Sequence, residues 1–308
     1  MTLRVAVQMD PLMGVNPKTD TTYGLITEAV RRGHEVWHYP PEALSQDGTR
    51  IFARMQPVVL GPDRLGEGEA AVRDLADFDV VWLRQDPPFD MAYLSTTYML
   101  EQLPPSTRVV NNPTEVRNCP EKLFVTQFAD LMPPTLISRD PEALADFRAR
   151  HTDVVLKPLY GWGGGGVFLL RAGDSNFDSV LEMLLARDRE PLIAQAFLPE
   201  VAGGDKRIVL VNGEPCGVLN RVPAAGHVRS NLAVGGRGEL AELSAHDREI
   251  CARLRPELQG RGLMLVGIDV IGPYLTEINV TSPTGPVVIR DLGGPNALAK
   301  CWDVIEGS

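Results

Sequence analysis

Two acidic side chains and an amide near the carboxyl end of the chain are residue types that bind a hard metal ion. Glu277 and Asn279 lie two positions apart in the apolar segment 275–280, so in a strand their side chains would share one face. Asp269 lies in the preceding apolar segment, 265–271. Carboxylate and amide oxygens suit Mg²⁺ that also contacts phosphate, whereas zinc would favour histidine or thiolate. The triplet predicts a magnesium site, although a solvent-facing polar edge shows the same alternation.

The turn between these two segments decides whether Asp269 joins the other two residues. A two-residue turn at Gly272-Pro273 would pair Asp269 with Thr276 and direct it away from Glu277. A three-residue turn, or a bulge, would place Asp269 opposite Glu277 instead. Because the metal interpretation needs the second arrangement, we predict the longer turn.

A lysine followed by a glycine-rich segment is a second candidate site. Lys157 follows the apolar residues 154–156, and residues 158–166 read Pro-Leu-Tyr-Gly-Trp-Gly-Gly-Gly-Gly. In such a turn the backbone N–H groups can approach polyphosphate closely, and the ammonium group neutralises charge. This is not a Walker A loop, because no Gly-Lys-Ser/Thr follows and the next element reads as a strand. A flexible hairpin without a ligand is the alternative interpretation.

Basic residues form a third candidate group in a chain that is otherwise acidic, with a formal net charge of -10. Arginine binds carboxylate and phosphate through two parallel hydrogen bonds, so basic residues in or beside the glycine-rich loop 222–237 could close over an anionic intermediate. Any one of them alone is more simply explained as a solvated surface residue. The group comprises Lys122, Lys157, Lys206, Arg207, Arg221, Arg229 and Arg237.

Composition excludes several classes of protein. The acidic balance argues against a nucleic-acid partner or an anionic membrane surface. No segment approaches the roughly 18 apolar residues that a membrane span needs, and the amino end has no secretory pattern. The cysteines are scattered without a CxxC pair, which favours reduced thiols and a cytoplasmic protein. These cysteines are Cys119, Cys216, Cys251 and Cys301.

The order of elements predicts an α/β fold with three parts. Apolar segments at 5–7, 36–38, 80–83 and 108–110 alternate with helical patterns, which is typical of a doubly wound parallel sheet. A smaller α+β part follows, and the last part begins with a hairpin whose turn, Asn212-Gly213, suits type I′. Ser244 and Asp247 predict a capping box at the start of a helix. We expect the parts to span residues 1–119, 120–200 and 201–308.

Six motifs resemble the prokaryotic glutathione synthetase family in order and spacing, and the resemblance runs from residue 5 to about residue 284. The stretches Asp-Pro-Pro-Phe-Asp at 86–90 and Thr-Glu-Ile-Asn-Val-Thr-Ser-Pro-Thr at 276–284 are specific to this family rather than to ATP-grasp enzymes at large. The motifs lie at 7–11, 84–90, 118–124, 204–207, 231–238 and 276–284.

The resemblance implies an ATP-grasp fold with a pre-ATP-grasp domain, a small central lid domain and a C-terminal domain. It implies ATP between the last two domains, and two Mg²⁺ ions for which Mn²⁺ can substitute, held by Asp269, Glu277 and Asn279. Arg207, Arg221, Arg229 and Arg237 would face phosphate or a substrate carboxylate. The ATP-binding residues would be Lys122, Lys157, Gly161, Gly163, Gly164, Gly165, Gln195, Ala196, Phe197, Leu198, Asp205, Asn231 and Ser282, with Ser282 also near the peptide substrate.

The activity that the resemblance implies is ligation of γ-glutamylcysteine to glycine through an acyl phosphate, by a homotetramer. All partners would be small molecules: γ-glutamylcysteine, glycine and ATP. Two alternatives remain open, namely an ATP-grasp ligase with other substrates and an ATP-binding regulatory module without turnover. Changes in the segment 285–288 would favour the first, whereas the intact metal triplet argues against the second.

Overall fold

The structure is a computed structural model of the 308-residue chain and describes residues 2–61, 64–224 and 235–307. The strands are β1 (Arg4–Gln8), β2 (Glu35–Tyr39), β3 (Leu44–Asp47), β4 (Arg50–Leu60), β5 (Leu65–Glu67), β6 (Ala71–Asp74), β7 (Val80–Leu83), β8 (Arg108–Val110), β9 (Thr135–Ser138), β10 (Val154–Pro158), β11 (Phe168–Leu170), β12 (Leu192–Ala196), β13 (Asp205–Val211), β14 (Glu214–Val222), β15 (Arg237–Leu240), β16 (Leu265–Ile271) and β17 (Tyr274–Asn279). The helices are α1 (Thr21–Arg31), α2 (Met91–Leu100), α3 (Pro113–Asn118), α4 (Glu121–Phe124), α5 (Pro141–His151), α6 (Phe177–Arg187), α7 (Ala245–Gly260), α8 (Pro286–Asp291) and α9 (Ala297–Glu306).

The N-terminal sheet contains the predicted parallel strands in the order β2-β1-β7-β8. Apolar side chains cover both of its faces, because Ala6 belongs to one buried cluster while Val5 and Val7 belong to another. This alternation follows from the two-residue period of a strand. The α/β expectation for the first part of the chain is confirmed.

An antiparallel extension of this sheet was not predicted from the sequence. Strand β4 pairs with β2, and β3, β5 and β6 all pair with β4. Its polar and apolar residues alternate, with Ile51, Ala53 and Met55 buried and Arg50 and Arg54 exposed. Such alternation is typical of a sheet with one solvated face, and Pro57 near the end of the alternation obscured it.

The central sheet has the order β11-β10-β12-β9 and is antiparallel throughout. Helices α5 and α6 contribute Leu144, Phe147, Leu181 and Leu184 to the core beneath it. Helix α5 begins after Asp140, whose side chain accepts a hydrogen bond from the backbone of the first turn. This small sheet carries Lys157 and the glycine-rich turn at one end.

The C-terminal sheet has the order β15-β14-β13-β16-β17, again antiparallel. Its first hairpin turns at Asn212 (φ 51°) and Gly213 (φ 76°), and these positive φ values are those of the predicted type I′ turn. The capping box of α7 is also confirmed, with Ser244 and Asp247 bonded reciprocally to each other's backbone.

The second hairpin of this sheet places Asp269 opposite Glu277. The pairing is the one that the metal interpretation needs, but the longer turn that we predicted is wrong. The turn at Gly272-Pro273 has two residues, because the strands already pair on both sides of it. A bulge at Thr276 supplies the extra residue and shifts the register instead.

The N-terminal and C-terminal sheets are joined by buried hydrogen bonds. Asn111 donates to the carbonyl oxygens of Leu265 (2.8 Å) and Val280 (2.7 Å) and accepts from the Leu265 backbone N–H. Trp302 of α9 donates to the Leu25 carbonyl of α1 at 2.9 Å. These contacts hold the edge of the N-terminal sheet against the sheet that carries the candidate metal residues. Across the described part of the chain, no helix is both long and apolar enough for a membrane span.

Candidate active site

A cavity of about 410 Å³ lies between the central and C-terminal sheets and reaches the edge of the N-terminal sheet. Its walls are the ends of β10 and β12, the glycine-rich turn, and one face of strands β13, β14, β16 and β17. Residues 281–285 and Asp86-Pro87 complete the side that faces the N-terminal sheet. Three parts of the chain therefore contribute to one cleft.

Strand alternation directs charged residues into this cleft from the C-terminal sheet. Asp205 and Arg207 of β13 line it, whereas Lys206 between them points to the other face and binds Asp247 of the α7 cap at 2.5 Å. Lys206 thus stabilises the start of a helix and does not line the cavity. The period of the strand separates residues that are adjacent in sequence into different roles.

Asp269 forms the centre of a buried group of ion pairs. Arg207 binds it through two hydrogen bonds, Nε to Oδ1 at 2.5 Å and Nη2 to Oδ2 at 2.9 Å. Arg221 reaches both Asp269 (3.0 Å) and Asp205 (2.6 Å). Burial by itself raises the pKa of the Asp269 carboxyl, but the two guanidinium groups outweigh it and hold that pKa well below its usual range. Asp269 is therefore an anion at every working pH.

Glu277, which lies opposite Asp269 in the sheet, pairs with Lys122 and Lys157. Its Oε1 lies 3.4 Å from Lys157 Nζ and 3.8 Å from Lys122 Nζ. Burial acts to raise the pKa of Glu277, whereas Lys122 and Lys157 lower it more, so the net shift is downward. Lys122 also pairs with Glu121, and its pKa is raised because Glu277 and Glu121 together outweigh its burial.

The donor set fits a divalent cation. Asp269 and Glu277 face each other across β16 and β17, and Asn279 shares the Glu277 face of its strand. Among the described atoms of the cleft, Asn279 Nδ2 is buried and has no hydrogen-bond partner. Amide oxygen and nitrogen positions are interchangeable by rotation, so Asn279 can direct Oδ1 to a cation there. A hard oxygen set of this kind is what Mg²⁺ prefers.

The set contains fewer acidic groups than many metal sites. Within residues 2–61, 64–224 and 235–307, no cluster of three or more His, Cys, Asp or Glu side chains is arranged to hold a metal. Two carboxylates and one amide leave several coordination positions open. Mg²⁺ commonly fills such positions with water and with substrate phosphate oxygens.

The glycine-rich turn is fixed at its first residues. Lys122 Nζ donates to the Gly161 carbonyl at 2.7 Å, and Gly165 N–H donates to the Trp162 carbonyl at 3.1 Å. Gly163 has φ +61°, and a Cβ there would meet nothing within 4 Å. Gly161, Gly163, Gly164 and Gly165 all line the cavity, so backbone rather than side chain forms this wall.

Four of the predicted ATP-binding residues, Gln195, Ala196, Phe197 and Leu198, line the cavity at the end of β12. Ala196 N–H donates to the Pro134 carbonyl (2.9 Å) and Phe197 N–H to the Asp153 carbonyl (3.0 Å). The Leu198 carbonyl accepts from Val201 N–H at 3.1 Å. These three backbone groups are therefore already used within the chain.

Most of the predicted site residues that the structure describes come together in this cleft, whereas Arg237 does not. Arg237 has 76% of its side chain exposed and pairs with Glu239 at 2.6 Å, and it is not among the residues that line the cavity. Arg229 and Asn231 lie outside the described residues. The predicted residues that line the cavity are Lys122, Lys157, Gly161, Gly163, Gly164, Gly165, Gln195, Ala196, Phe197, Leu198, Asp205, Arg207, Arg221, Asp269, Glu277, Asn279 and Ser282.

Three residues of the site were not singled out from the sequence. Glu121 lines the cavity beside Lys122. Arg84 is buried and donates to the Pro283 carbonyl at 3.3 Å, so it holds the segment after the metal strand. Trp162 lines the cavity with 53% of its surface exposed. An aromatic residue within a glycine run was the one signal that could have identified Trp162 in advance.

The architecture defines the class of protein. The ATP-grasp ligase PsnB, a solved structure, superimposes on this chain with a TM-score of 0.63, and the match covers 100% of this chain and 98% of that one at 20% sequence identity. The chain therefore has the ATP-grasp fold, and the fold expectation is confirmed.

Sequence comparison then identifies the family. The N-terminal domain of prokaryotic glutathione synthetase matches residues 3–117, and the ATP-grasp domain of the same family matches residues 121–294. The glutathione synthetases of Brucella melitensis biotype 1 and Rhodopseudomonas palustris are 54% and 53% identical to this chain. Each match covers 99% of this chain and 99% of the relative. The chain belongs to the prokaryotic glutathione synthetase family.

Proposed function

We propose that this protein joins γ-glutamylcysteine to glycine at the expense of ATP, releasing ADP and phosphate. The observation that carries the proposal is the single cleft in which Lys122, Lys157, Arg207 and Arg221 face Asp269 and Glu277. Four cations around two carboxylates can accept a polyphosphate and its metal together. Membership of the family supports the choice of the two substrates.

The cleft suits MgATP because its charges can exchange partners. In the structure, the lysines and arginines neutralise Asp269 and Glu277. The phosphates of ATP would attract the same cations and leave the two carboxylates available for metal. Nucleotide and metal would then enter as a unit, since either one alone leaves buried charge unpaired. Bound Mg²⁺ would supply neutralisation of charge on the phosphate oxygens.

The chemical problem is that a carboxylate is a poor electrophile at neutral pH. We propose that the cysteinyl carboxylate of the dipeptide attacks the γ-phosphate and forms an acyl phosphate, with ADP as leaving group. The glycine amine then attacks the acyl carbon and expels phosphate. Lys122, Lys157 and Arg207 would hold the phosphates in line and balance their charge, so positioning and electrostatics account for catalysis.

The adenine would occupy the other end of the cleft, between apolar side chains. Phe197, Leu198 and Ile271 line the cavity and would surround the adenine, and Asp205, which also lines it, would meet the ribose. Ser282, whose hydroxyl donates to the Arg84 carbonyl at 3.4 Å, lies on the segment next to the N-terminal sheet, where the peptide would bind. The nucleotide and the peptide would therefore approach the lysines from opposite ends.

The test is ADP release by the purified chain with MgATP, γ-glutamylcysteine and glycine, with each substrate omitted in turn. We expect ADP formation that depends on both amino-acid substrates, with glutathione detected by mass spectrometry. The Glu277→Gln variant, purified identically, controls for contaminating ATPases.

Two other results would redirect the assignment. Turnover only with other donor and acceptor pairs would retain the ligase chemistry and discard these substrates. ATP binding without ADP release under any pairing would support a regulatory module instead, and would contradict the proposal.

We further propose two Mg²⁺ ions, replaceable by Mn²⁺, a homotetrameric assembly and a cytoplasmic location. The family resemblance supports all three, and the four free cysteines suit a reducing compartment. Titration of Mn²⁺ by electron paramagnetic resonance in the presence of ADP would count the ions. Light scattering would give the mass of the assembly, and a monomer of 33.7 kDa would contradict the tetramer.

A further inference from the structure

Trp162 differs from the other tryptophans of the chain. Trp37, Trp82 and Trp302 are buried, with at most 7% of their surface exposed, whereas Trp162 is 53% exposed. It nevertheless lines the cleft rather than the outer surface. A large apolar ring that lines a cavity and is still exposed to solvent indicates a surface on which a ligand can pack.

Contacts of the residues just before Trp162 locate this part of the turn. The carbonyl of Gly161, directly before Trp162, accepts a hydrogen bond from Lys122 Nζ at 2.7 Å. The ring of Tyr160 stacks on Phe89 with centroids 5.9 Å apart, and Phe89 in turn packs on Tyr93 of α2 at 5.1 Å. The indole is therefore attached between a phosphate-binding lysine and the edge of the N-terminal sheet.

The chemistry of the dipeptide places one of its side chains in the same region. The cysteinyl carboxylate must reach the γ-phosphate, and hence the end of the cleft that holds Lys122 and Lys157. The cysteinyl side chain is bonded to the carbon next to that carboxylate. Its sulfur must therefore lie close to the reacting atoms, on the side away from the adenine.

Phe197 and Leu198 line the cleft directly after β12. Pro87 and Pro283 line it beside the N-terminal sheet, where Arg84 donates to the Pro283 carbonyl. Tyr160, two residues before Trp162, stacks on Phe89 of the same region. Trp162 is the aromatic residue of the glycine-rich turn that lines the cleft. A sulfur atom near an aromatic ring gains a favourable contact beyond simple burial.

We propose that Trp162 is a specificity-determining residue that packs against the cysteinyl side chain of the dipeptide substrate. This inference rests on the proposed function. The indole selects an apolar side chain of at least two heavy atoms over a single methyl group and leaves nucleotide binding unchanged. Because the ring is largely exposed in the ligand-free chain, its truncation does not disturb the fold.

The test compares Trp162→Ala, Trp162→Phe and the wild type with three dipeptides. These are γ-glutamylcysteine, γ-glutamyl-α-aminobutyrate and γ-glutamylalanine, each with saturating MgATP and glycine. The matched control is Met183→Ala, since Met183 is an apolar side chain of similar exposure (49%) on α6 and does not line the cleft.

We expect Trp162→Ala to lower kcat/KM for the cysteine and aminobutyrate dipeptides by about tenfold or more, the size of effect that one or two methylene groups have in an apolar pocket. The alanine dipeptide should change by less than about threefold, because it lacks the group that the ring contacts. Trp162→Phe should retain most of the preference, and the KM for ATP should stay within about twofold in all variants.

Fluorescence supplies a readout that does not depend on turnover. The difference in emission between the wild type and Trp162→Phe isolates the signal of this indole. Addition of γ-glutamylcysteine with a non-hydrolysable ATP analogue should change that difference, and γ-glutamylalanine should change it less.

Three results would overturn the inference while leaving the proposed function intact: an equal loss for all three dipeptides, a change confined to the KM for ATP, or an indole signal that does not respond to the dipeptide. A wild-type chain that forms no glutathione would instead overturn the proposed function, and this inference with it.

Discussion

The two walls of the cleft differ in what forms them: paired charged side chains in one and glycine backbone in the other. On the C-terminal sheet, Asp269 pairs with two arginines of its own sheet, and Glu277 pairs with Lys122 of α4 and Lys157 of β10. On the central side, the glycine-rich turn contributes backbone and one exposed indole, Trp162. The first wall is rigid because its two carboxylates lie in strands and each has cationic partners. The turn in the second wall relies on backbone, and its Trp162 ring is 53% exposed.

On the proposed function, this difference follows from what each wall would bind. Charged groups that face phosphate and metal would have to be in place before the substrate arrives, because reorganising charge during the reaction is costly. Backbone near the phosphates, and a ring that accepts a peptide side chain, would complete their contacts after binding. If this interpretation is correct, substitutions in the two walls should differ in kind: the first should affect stability and turnover, and the second should affect substrate KM.

The largest expected effect is on the stability of the charged wall. Arg207→Met removes two hydrogen bonds from Asp269 and leaves its buried charge with Arg221 alone. We expect the free energy of unfolding to fall by about 3 kcal/mol, at the low end of the range for breaking a buried pair. Urea unfolding at pH 7 measures it. Arg255→Met breaks the exposed pair with Glu214 and should cost about 0.5 kcal/mol or less; equal losses would refute the distinction.

Turnover should depend on the same wall without loss of the fold. Glu277→Gln removes the charge that faces Lys122 and Lys157. We expect kcat to fall by about 100-fold or more, as when one charged group of a prepared site is removed. ADP release measures it, and circular dichroism checks that the protein is folded. Glu214→Gln, an exposed carboxylate on the same sheet, should leave kcat unchanged; near-normal turnover in Glu277→Gln would exclude a metal role.

An ion pair on the opposite face of this sheet allows a test of whether ion pairs outside the cleft also stabilise the fold. Asp247 accepts from Lys206 and from the Ser244 backbone. Burial acts to raise the pKa of Asp247, but these hydrogen bonds outweigh it and the pKa is lowered. Asp247→Asn should therefore cost about 1–2 kcal/mol at pH 7.

The pH dependence of this loss has a definite sign. Because the folded pKa of Asp247 lies below its unfolded value of about 4, its contribution is complete above about pH 5, begins to fall near the unfolded pKa and is lost as the pH falls through the folded pKa. The difference in unfolding free energy between wild type and Asp247→Asn should narrow between pH 5 and the most acidic pH at which the protein remains folded, on the order of pH 3. A gap that is constant over this range would show that the carboxylate charge is not what stabilises the cap.

The smallest effect is expected in the glycine wall. Gly163 and Gly48 have nearly the same positive φ, +61° and +60°, and a Cβ at either would meet nothing within 4 Å. Alanine at each position should therefore cost a similar amount, about 1 kcal/mol. Only Gly163→Ala should raise the KM for ATP, by roughly fivefold if that strain has to be overcome on binding. An equal rise in the KM for ATP of Gly48→Ala would contradict a functional role of the glycine-rich turn.

Part of this fold could be predicted because local signals were strong. The Asn212-Gly213 turn and the Ser244–Asp247 cap depend on neighbouring residues only, and the structure has both. The antiparallel extension β3–β6 was missed although β3-β4 and β4-β5 are local hairpins. Pro57 interrupts the alternation of β4, and the pairings of β4 with β2 and β6 join residues farther apart in the sequence. Sequence patterns report the environment of each residue and not the strand with which it pairs.

The register of the β16-β17 hairpin shows most clearly what could not be predicted from the sequence. Leu275 and Ile278 both enter the core although they lie three positions apart, and a regular strand would direct them to opposite faces. That spacing is a sign of the bulge at Thr276, and we attributed the register to the turn instead. The sequence determined which side of the strand is apolar, whereas the tertiary structure decided how the extra residue is accommodated.

The residue types that line the cleft were named from the sequence alone, because a phosphate and metal site was predicted to need lysine, arginine and carboxylate. The sequence also identified the family and hence the fold. It did not determine which of the basic residues enter the cleft: Arg207 and Arg221 do, Lys206 pairs with Asp247 at the start of α7, and Arg237 pairs on the surface. Only the tertiary structure decided this, because the direction of a strand side chain depends on the register and face of the whole sheet, and charged residues are compatible with either face.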